Sequence, residues 1–237
     1  MPKLIESDTC LSAWRDACQE IIKDGDGFNM LVHIKNPQLI NDNHLNEILN
    51  SKIITKQKLQ DVANTIFPEK LYKRNQGDLH KFYDLHESLY NRGKRLRKKN
   101  KSRWGNYFLR FTKFGHDKKN QIQKIIQDIN KRPNNQSSCY IMHVSSIDYD
   151  SNTRIIGNPC LQYVQFAQVG DMLNLTAIYR NHDFLEKSLG NYIGLSKLLA
   201  FVCEKTNSKV GSITCHSIHF YLNQKREVKK CLDSLTW

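Results

Sequence analysis

The sequence predicts an α+β domain, a mixed sheet packed with helices, and three observations carry that prediction. Helical spacings fill most of the amino-terminal half, whereas alternating, strand-like runs dominate from about residue 139 onward. One long apolar helical stretch interrupts those runs, as a helix laid across a sheet would. No glycine-rich loop follows a strand, which excludes a P-loop and a doubly wound dinucleotide fold. A chain of 237 residues fits one domain spanning 1–237.

Taken in order, DACQEIIK (16–23) closes a short helix stopped by the glycines of DGDG (24–27). MLVHIKNP (30–37) reads as a strand ending at Pro37. Leu45, Ile48, Leu49, Ile53 and Ile54 give 41–64 helical spacing, closed by Phe67-Pro68, and 83–90 is a second amphipathic helix. Ile122, Ile125, Ile126 and Ile129 share one face of a helix over 117–131, with Asp117 as its N-cap and Arg132-Pro133-Asn134-Asn135 as its stop. Strand-like runs follow at 139–144, 161–168 and 173–180, the last two joined by Gly170-Asp171 as a hairpin turn. An apolar helix over 192–205 and a final strand over 211–222 complete an antiparallel-leaning set.

The formal net charge is +13 and unevenly placed. NRGKRLRKKNKSR (91–103) holds eight basic residues and no acidic one, so it is expected as a solvated basic loop inserted in the domain. Such a block attracts nucleic acid or polyphosphate through phosphate contacts and counterion release; a plain surface loop is the alternative, because no nucleic-acid-binding motif accompanies it. Seven scattered cysteines are an odd number, argue against a disulfide framework and show no metal-ligand spacing. No apolar run reaches the length of a membrane span and no leader pattern opens the chain, so a cytoplasmic location without a membrane partner is expected.

The chemistry-bearing residues lie in the carboxyl half. Pro159-Cys160 opens a strand carrying Gln165-Phe166; Arg180-Asn181-His182-Asp183 begins twenty residues after Cys160; Asn191 follows eight residues after Asp183; and His219-Phe220-Tyr221 stands in the last strand. In this order and spacing the segment resembles thymidylate synthase and its relatives, the pyrimidine hydroxymethylases. The resemblance runs from Asn158 to Tyr221, with NQIQKIIQDINKRPNN similar to the helix preceding the family's central strands, and is loose over the first ninety residues.

The resemblance implies a thymidylate-synthase-like homodimer in which the Cys160 thiolate adds to C6 of a pyrimidine nucleotide. C5 then takes a one-carbon unit from 5,10-methylenetetrahydrofolate. A thiol with an ordinary pKa of about 8.5 needs a nearby cation, and Arg180 is expected to serve as that cation and to hold a substrate phosphate. Asn191 offers an acceptor and donors to the base edge, an asparagine here going with uracil in the relatives. His219 and Tyr221, on one face of a strand with Cys215 and Ser217, are expected to reach the ribose, and Asp183 and Gln165 to belong to the substrate-binding set. Each residue also has a plainer reading: a buried thiol, a strand-end charge, sheet residues, and helix or turn caps for Asn191 and Asp183. His182 and His216 receive no role.

Several family features are missing. Gln136-Ser137 stands where the relatives carry paired phosphate-binding arginines, DGDGFNM lacks another, and Leu161 and Asn181 replace a histidine and a serine. No carboxylate matches the family's catalytic glutamate, although Asp61 and Glu87 are possibilities. The sequence stops sixteen residues after Tyr221, where synthases carry a tail that closes over the folate. Fewer guanidiniums weaken the grip on a lone 5′-monophosphate, and water reaching the site gives a hydroxymethyl instead of a methyl product. The expected function is therefore one-carbon transfer to C5 with either product; the alternative is a catalytically degenerate homologue that binds nucleotides or nucleic acid.

Overall fold

The computed structural model describes residues 1–39, 42–75, 78–96, 105–131, 137–146, 150 and 158–235. Strand β1 (Lys3–Ser7), unforeseen in the sequence, leads into α1 (Cys10–Asp24) and β2 (Gly27–Ile34). Thr9 and Ser12 cap α1 reciprocally, each side chain accepting from the other's backbone N–H. The expected single helix over 41–64 is two, α2 (Asp42–Asn50) and α3 (Lys56–Ile66). Lys52 at φ 60° ends the first, and the Thr55 hydroxyl caps the second by accepting from the Lys58 N–H. Helices α4 (Glu69–Arg74), α5 (Leu79–Leu96), α6 (Tyr107–Thr112) and α7 (Gln121–Lys131) follow.

Two expectations change here. Helix α7 starts after Asp117: the Asn120 side chain accepts from the Gln123 N–H at 2.9 Å, while Phe114 and Lys119 exchange backbone hydrogen bonds at 2.8 Å to close a turn. The basic block begins as helix, since α5 runs to Leu96; residues 97–103 lie outside the described residues, as do the 132–135 stop and Gln136.

After a 3₁₀ turn at Ser137–Cys139 come β3 (Ile141–His143), β4 (Leu161–Val169), β5 (Met172–Tyr179), β6 (His182–Asp183), α8 (Ser188–Thr206), β7 (Lys209–Tyr221) and α9 (Lys225–Asp233). The sheet order is β1-β2-β7-β5-β4-β3, with β6 alongside the end of β7. Hairpin β4–β5 turns at Gly170, where φ is +62°. The sheet is mixed, not antiparallel-leaning: β1 with β2 and β5 with β7 are parallel. The reason is α8, which carries the chain from the end of β5 back to the start of its neighbour β7 as a crossover.

Helices cover one face of the sheet. Helix α8 is buried on most of its surface, as a helix clamped between a sheet and other helices must be. It approaches α3 closely because Gly190 and Gly194 face it: a Cβ at Gly190 would lie 2.7 Å from Val62 Cβ, and one at Gly194 would lie 2.8 Å from the Ala63 carbonyl. Phe67, Phe82, Phe108 and Phe201 stack edge-on and tilted behind that contact, with Phe67 and Phe201 centroids 5.0 Å apart. Arg110 on α6 makes a buried two-pronged ion pair with Asp150, at 2.7 and 3.2 Å, and also donates to the Val144 carbonyl. On the sheet's other face the register sets Ile141, Gln165, Thr176, Thr214 and His33 in one cross-strand row, all partly or fully accessible.

Candidate active site

The hairpin explains why Cys160 and Arg180 meet. The ladder runs from Val169–Met172 to Tyr163–Ile178, and a bulge between Leu161 and Tyr163 then shifts the register by one, so that Leu161 faces Tyr179 and Cys160 comes opposite Arg180 at the hairpin's open end. The Arg180 N–H donates to the Cys160 carbonyl at 2.8 Å. The Arg180 guanidinium is exposed and turns back on the cysteine's own loop, donating to the Pro159 carbonyl at 3.0 Å and the Asn158 carbonyl at 3.2 Å. It therefore holds the cysteine's loop in shape, with its remaining N–H groups free of any carboxylate partner among the described residues.

Cys160 is half-buried and free, at the rim of the core. Burial pushes its thiol above the ordinary value; the charges of Arg180 and Lys187 pull it down, and Asp183 adds a smaller upward push. In the ligand-free protein, burial outweighs the cation that the sequence led us to expect as dominant. Tyr107 on α6 is beside it, its phenolic oxygen accepting from the Leu161 N–H at 3.3 Å.

Opposite the cysteine, β6 pairs with the end of β7 so that Asp183 faces Tyr221 and His182 faces Phe220. This places the Tyr221 hydroxyl 3.2 Å from Asp183 Oδ2, to which it donates. The other carboxylate oxygen accepts the Leu185 and Glu186 N–H groups at 3.0 and 2.9 Å, fixing the approach to α8. Burial, with Asp183 adding to it, pushes the Tyr221 phenol up to about 12. Trp14 of α1 braces this corner from below, donating to the Phe184 carbonyl at 2.6 Å. Asn191 lies in the first turn of α8, its N–H donating to the Lys187 carbonyl at 2.8 Å, so it is inside the helix and not its cap. Its side-chain amide donates to His182 Nε2 at 3.1 Å.

These groups enclose a cavity of about 400 Å³. Cys160, Asp183, Asn191 and Tyr221 line it together with Asn158, Asn181, His182 and Lys187, and Val62, Tyr90 and Tyr107 form a more apolar wall. The volume is in the range of small-molecule sites. Arg180, His219 and Gln165, all expected to bind substrate, are not among the lining residues. His219 Nδ1 bonds Asn181 Oδ1 at 2.6 Å and so meets the cavity through that asparagine. Gln165 stands in the row on the sheet's other face and accepts the Tyr163 hydroxyl at 2.6 Å. Asp61 and Glu87 do not line the cavity either; Glu87 faces Lys113 and Lys118, at 3.5 and 3.8 Å. Asp183 is the carboxylate of the described lining.

Sequence reasoning passed over Tyr107, Lys187 and His182. For Lys187 a signal existed: it precedes Asn191 by four residues, one helical turn on the same face. Tyr107 and His182 gave none, since their places depend on how α6 and β6 dock.

The sequence profile of the family described as thymidylate synthase matches residues 45–235. Among curated proteins, the chain is 32% identical over 108 residues to a "Putative thymidylate synthase" of Methanosarcina barkeri, covering 45% of this chain and 48% of that relative. A protein of the same printed name from Methanococcoides burtonii is 28% identical over 120 residues, covering 50% of this chain and 54% of the relative. One from Methanocaldococcus jannaschii is 25% identical over 251 aligned residues, 98% of each chain. The first two matches thus span about half the length of those relatives. With a family match over most of its length, and a thiol, an asparagine and a tyrosine–aspartate pair gathered around one cavity of the expected α+β fold, the chain belongs to the thymidylate synthase family.

Proposed function

We propose that this protein transfers a one-carbon unit to C5 of a pyrimidine nucleotide through a covalent adduct of Cys160. One observation carries the reading: Cys160, Asp183, Asn191 and Tyr221, picked from distant parts of the sequence, line the same cavity. The Cys160 thiolate adds to C6, and the electron pair moves onto C5 and its neighbouring carbonyl. C5 forms the new carbon bond and the C5 proton leaves; the bond from that carbon to its donor nitrogen would then break, and addition of water (hydroxymethyl product) or of a hydride from the donor (methyl product) at the exocyclic carbon would expel the thiolate and restore the ring. Arg180 and Lys187 favour the thiolate, opposing its burial. Asn191 reads the base edge, Tyr221 and Asn181–His219 face the sugar, and Asp183 with Tyr221 forms the polar end that moves a proton. The more apolar wall of Val62, Tyr90 and Tyr107 would hold a second ring system such as methylenetetrahydrofolate, which when bound would supply the one-carbon unit.

Cations near the site support an anionic substrate despite the missing arginines. Lys187 lines the cavity, and the Arg180 guanidinium lies against the loop that carries Cys160. The basic block 91–103, of which 97–103 lie outside the described residues, attracts a polyphosphate or a nucleic acid through its charge. The helix-free sheet face, with Gln165, Thr176 and Thr214 in one row, is the surface through which a cytoplasmic homodimer forms. Among the described residues, no helix is long and apolar enough to cross a membrane.

The test is release of tritium from 5-tritiated dUMP or dCMP, with and without methylenetetrahydrofolate. Release that depends on Cys160 supports covalent addition. Equal, background-level release from wild type and Cys160→Ala with every pyrimidine nucleotide overturns it and leaves a binding protein.

A further inference from the structure

His182 received no role from the sequence, yet it is the hinge of a buried chain of three polar groups. Its ring is 1% exposed, stacks on Tyr179 with centroids 4.2 Å apart at 5°, and meets Tyr192 edge-on at 5.9 Å. Ring position is therefore fixed. Nδ1 lies 2.8 Å from the hydroxyl of Ser217 on β7, and Nε2 lies 3.1 Å from Nδ2 of Asn191 on α8. Ser217 is fully buried and Asn191 is 4% exposed. No other side-chain hydrogen bond of Asn191 forms among the described residues, and the residue lines the cavity, so its carbonyl oxygen is left to a ligand.

A neutral imidazole has one donor nitrogen and one acceptor nitrogen. With Nδ1–H donating to Ser217, Nε2 must accept, and it can then hold only the NH₂ end of the Asn191 amide. The opposite tautomer would hold only the carbonyl end, with the amide turned over. The two orientations present donor and acceptor to the cavity in opposite order. That order is what separates the two pyrimidines: uracil offers a donor at N3 and an acceptor at position 4, whereas cytosine offers an acceptor at N3 and a donor at position 4.

We infer that Ser217 and His182 are the specificity-determining positioning residues of the site, locking the Asn191 amide in the one orientation that accepts a uracil-type base and rejects cytosine. The inference rests on the proposed reading of the cavity as a pyrimidine site. Burial supports it, because it holds the His182 ring neutral down to about pH 3. A protonated ring would have no acceptor for the amide.

Two measurements test it. In the ligand-free protein with ¹⁵N-labelled histidine, long-range ¹H–¹⁵N correlation should show His182 as the Nδ1–H tautomer; an Nε2–H tautomer overturns the inference whatever the substrate. Calorimetric titration with dUMP and dCMP then compares wild type with Ser217→Ala and Ser217→Thr. Losing the hydroxyl removes the partner of Nδ1–H, so that tautomer is no longer held and the amide is free to turn; the dUMP:dCMP affinity ratio should fall by about 10- to 100-fold in Ser217→Ala. It should return towards wild type in Ser217→Thr, which restores a hydroxyl. An unchanged ratio in a folded Ser217→Ala protein that still binds dUMP overturns the inference alone. If wild type binds neither nucleotide, it is the pyrimidine reading that fails.

Discussion

Replacing Gly190 by alanine adds one methyl group at the closest approach of α8 to α3. The added Cβ would lie 2.7 Å from Val62 Cβ, 2.8 Å from its Cγ1 and 3.1 Å from the Leu59 carbonyl. Carbon atoms pack at about 3.5–4.0 Å, so the helices must part by about 0.8 Å locally. Val62 Cβ is fixed to its backbone, and no rotamer change relieves that contact. Alanine favours a helix over glycine by about 1 kcal/mol, while overpacking a well-filled contact costs about 1–3 kcal/mol. Because the obstruction is rigid, the balance should be a net loss of about 1–2 kcal/mol. Urea unfolding of four proteins measures it: wild type, Gly190→Ala, Val62→Gly and the double variant. In the Val62→Gly background only the Leu59 carbonyl, at 3.1 Å, stays close, so the same alanine should stabilise by up to about 1 kcal/mol, giving a coupling of about 2–3 kcal/mol. A higher urea midpoint for Gly190→Ala in the native background would refute the close approach. Val62 and Asn191 both line the cavity, so the spread helices should weaken nucleotide binding as well.

Alkylation of Cys160 by iodoacetamide, followed by mass spectrometry of its peptide, should accelerate with pH through a midpoint above the ordinary thiol range, since burial dominates its environment. Lys187→Met should move that midpoint further up and Asp183→Asn should move it down; a wild-type midpoint below the ordinary range contradicts the argument. Stability should fall on mild acidification. Burial holds His182 at about 3 and His86 at about 4, against 6.5 for an exposed histidine, so below pH 6.5 the unfolded chain binds protons that the folded chain refuses. Each histidine then costs about 1.4 kcal/mol per pH unit until its folded value is reached, or about 4 kcal/mol for the pair between pH 7 and pH 5. Urea unfolding at pH 7, 6 and 5 checks this; His86→Phe should halve the loss, and a flat profile rules the mechanism out.

Local chemistry made much of the molecule readable in one dimension. Alternation and a Gly-Asp turn marked β4 and β5 and put Arg180 at the end of the strand beside that of Cys160, whereas the bulge that sets the two opposite each other gave no signal. The 3.6-residue spacing of isoleucines marked α7, and the apolar run marked α8. Period-two geometry placed Ser217 and Tyr221 on one face of β7. Other features follow no local rule. The five-residue β1 has no strong pattern and is a strand only because β2 lies beside it, and the parallel pairing of β5 with β7 follows from α8 folding back as a crossover. The site shows the same division. Cys160, Asn191 and Tyr221 stand out as residue types at characteristic spacings. Gln165 and His219 carry the right chemistry, but the one points to the other face of the sheet and the other stops short at Asn181. Tyr107, Lys187 and His182 enter the cavity because α6, α8 and β6 dock there. Hydrogen-bonding capacity and periodicity are written residue by residue, whereas the direction a side chain faces at a junction of three elements is fixed only when those elements pack.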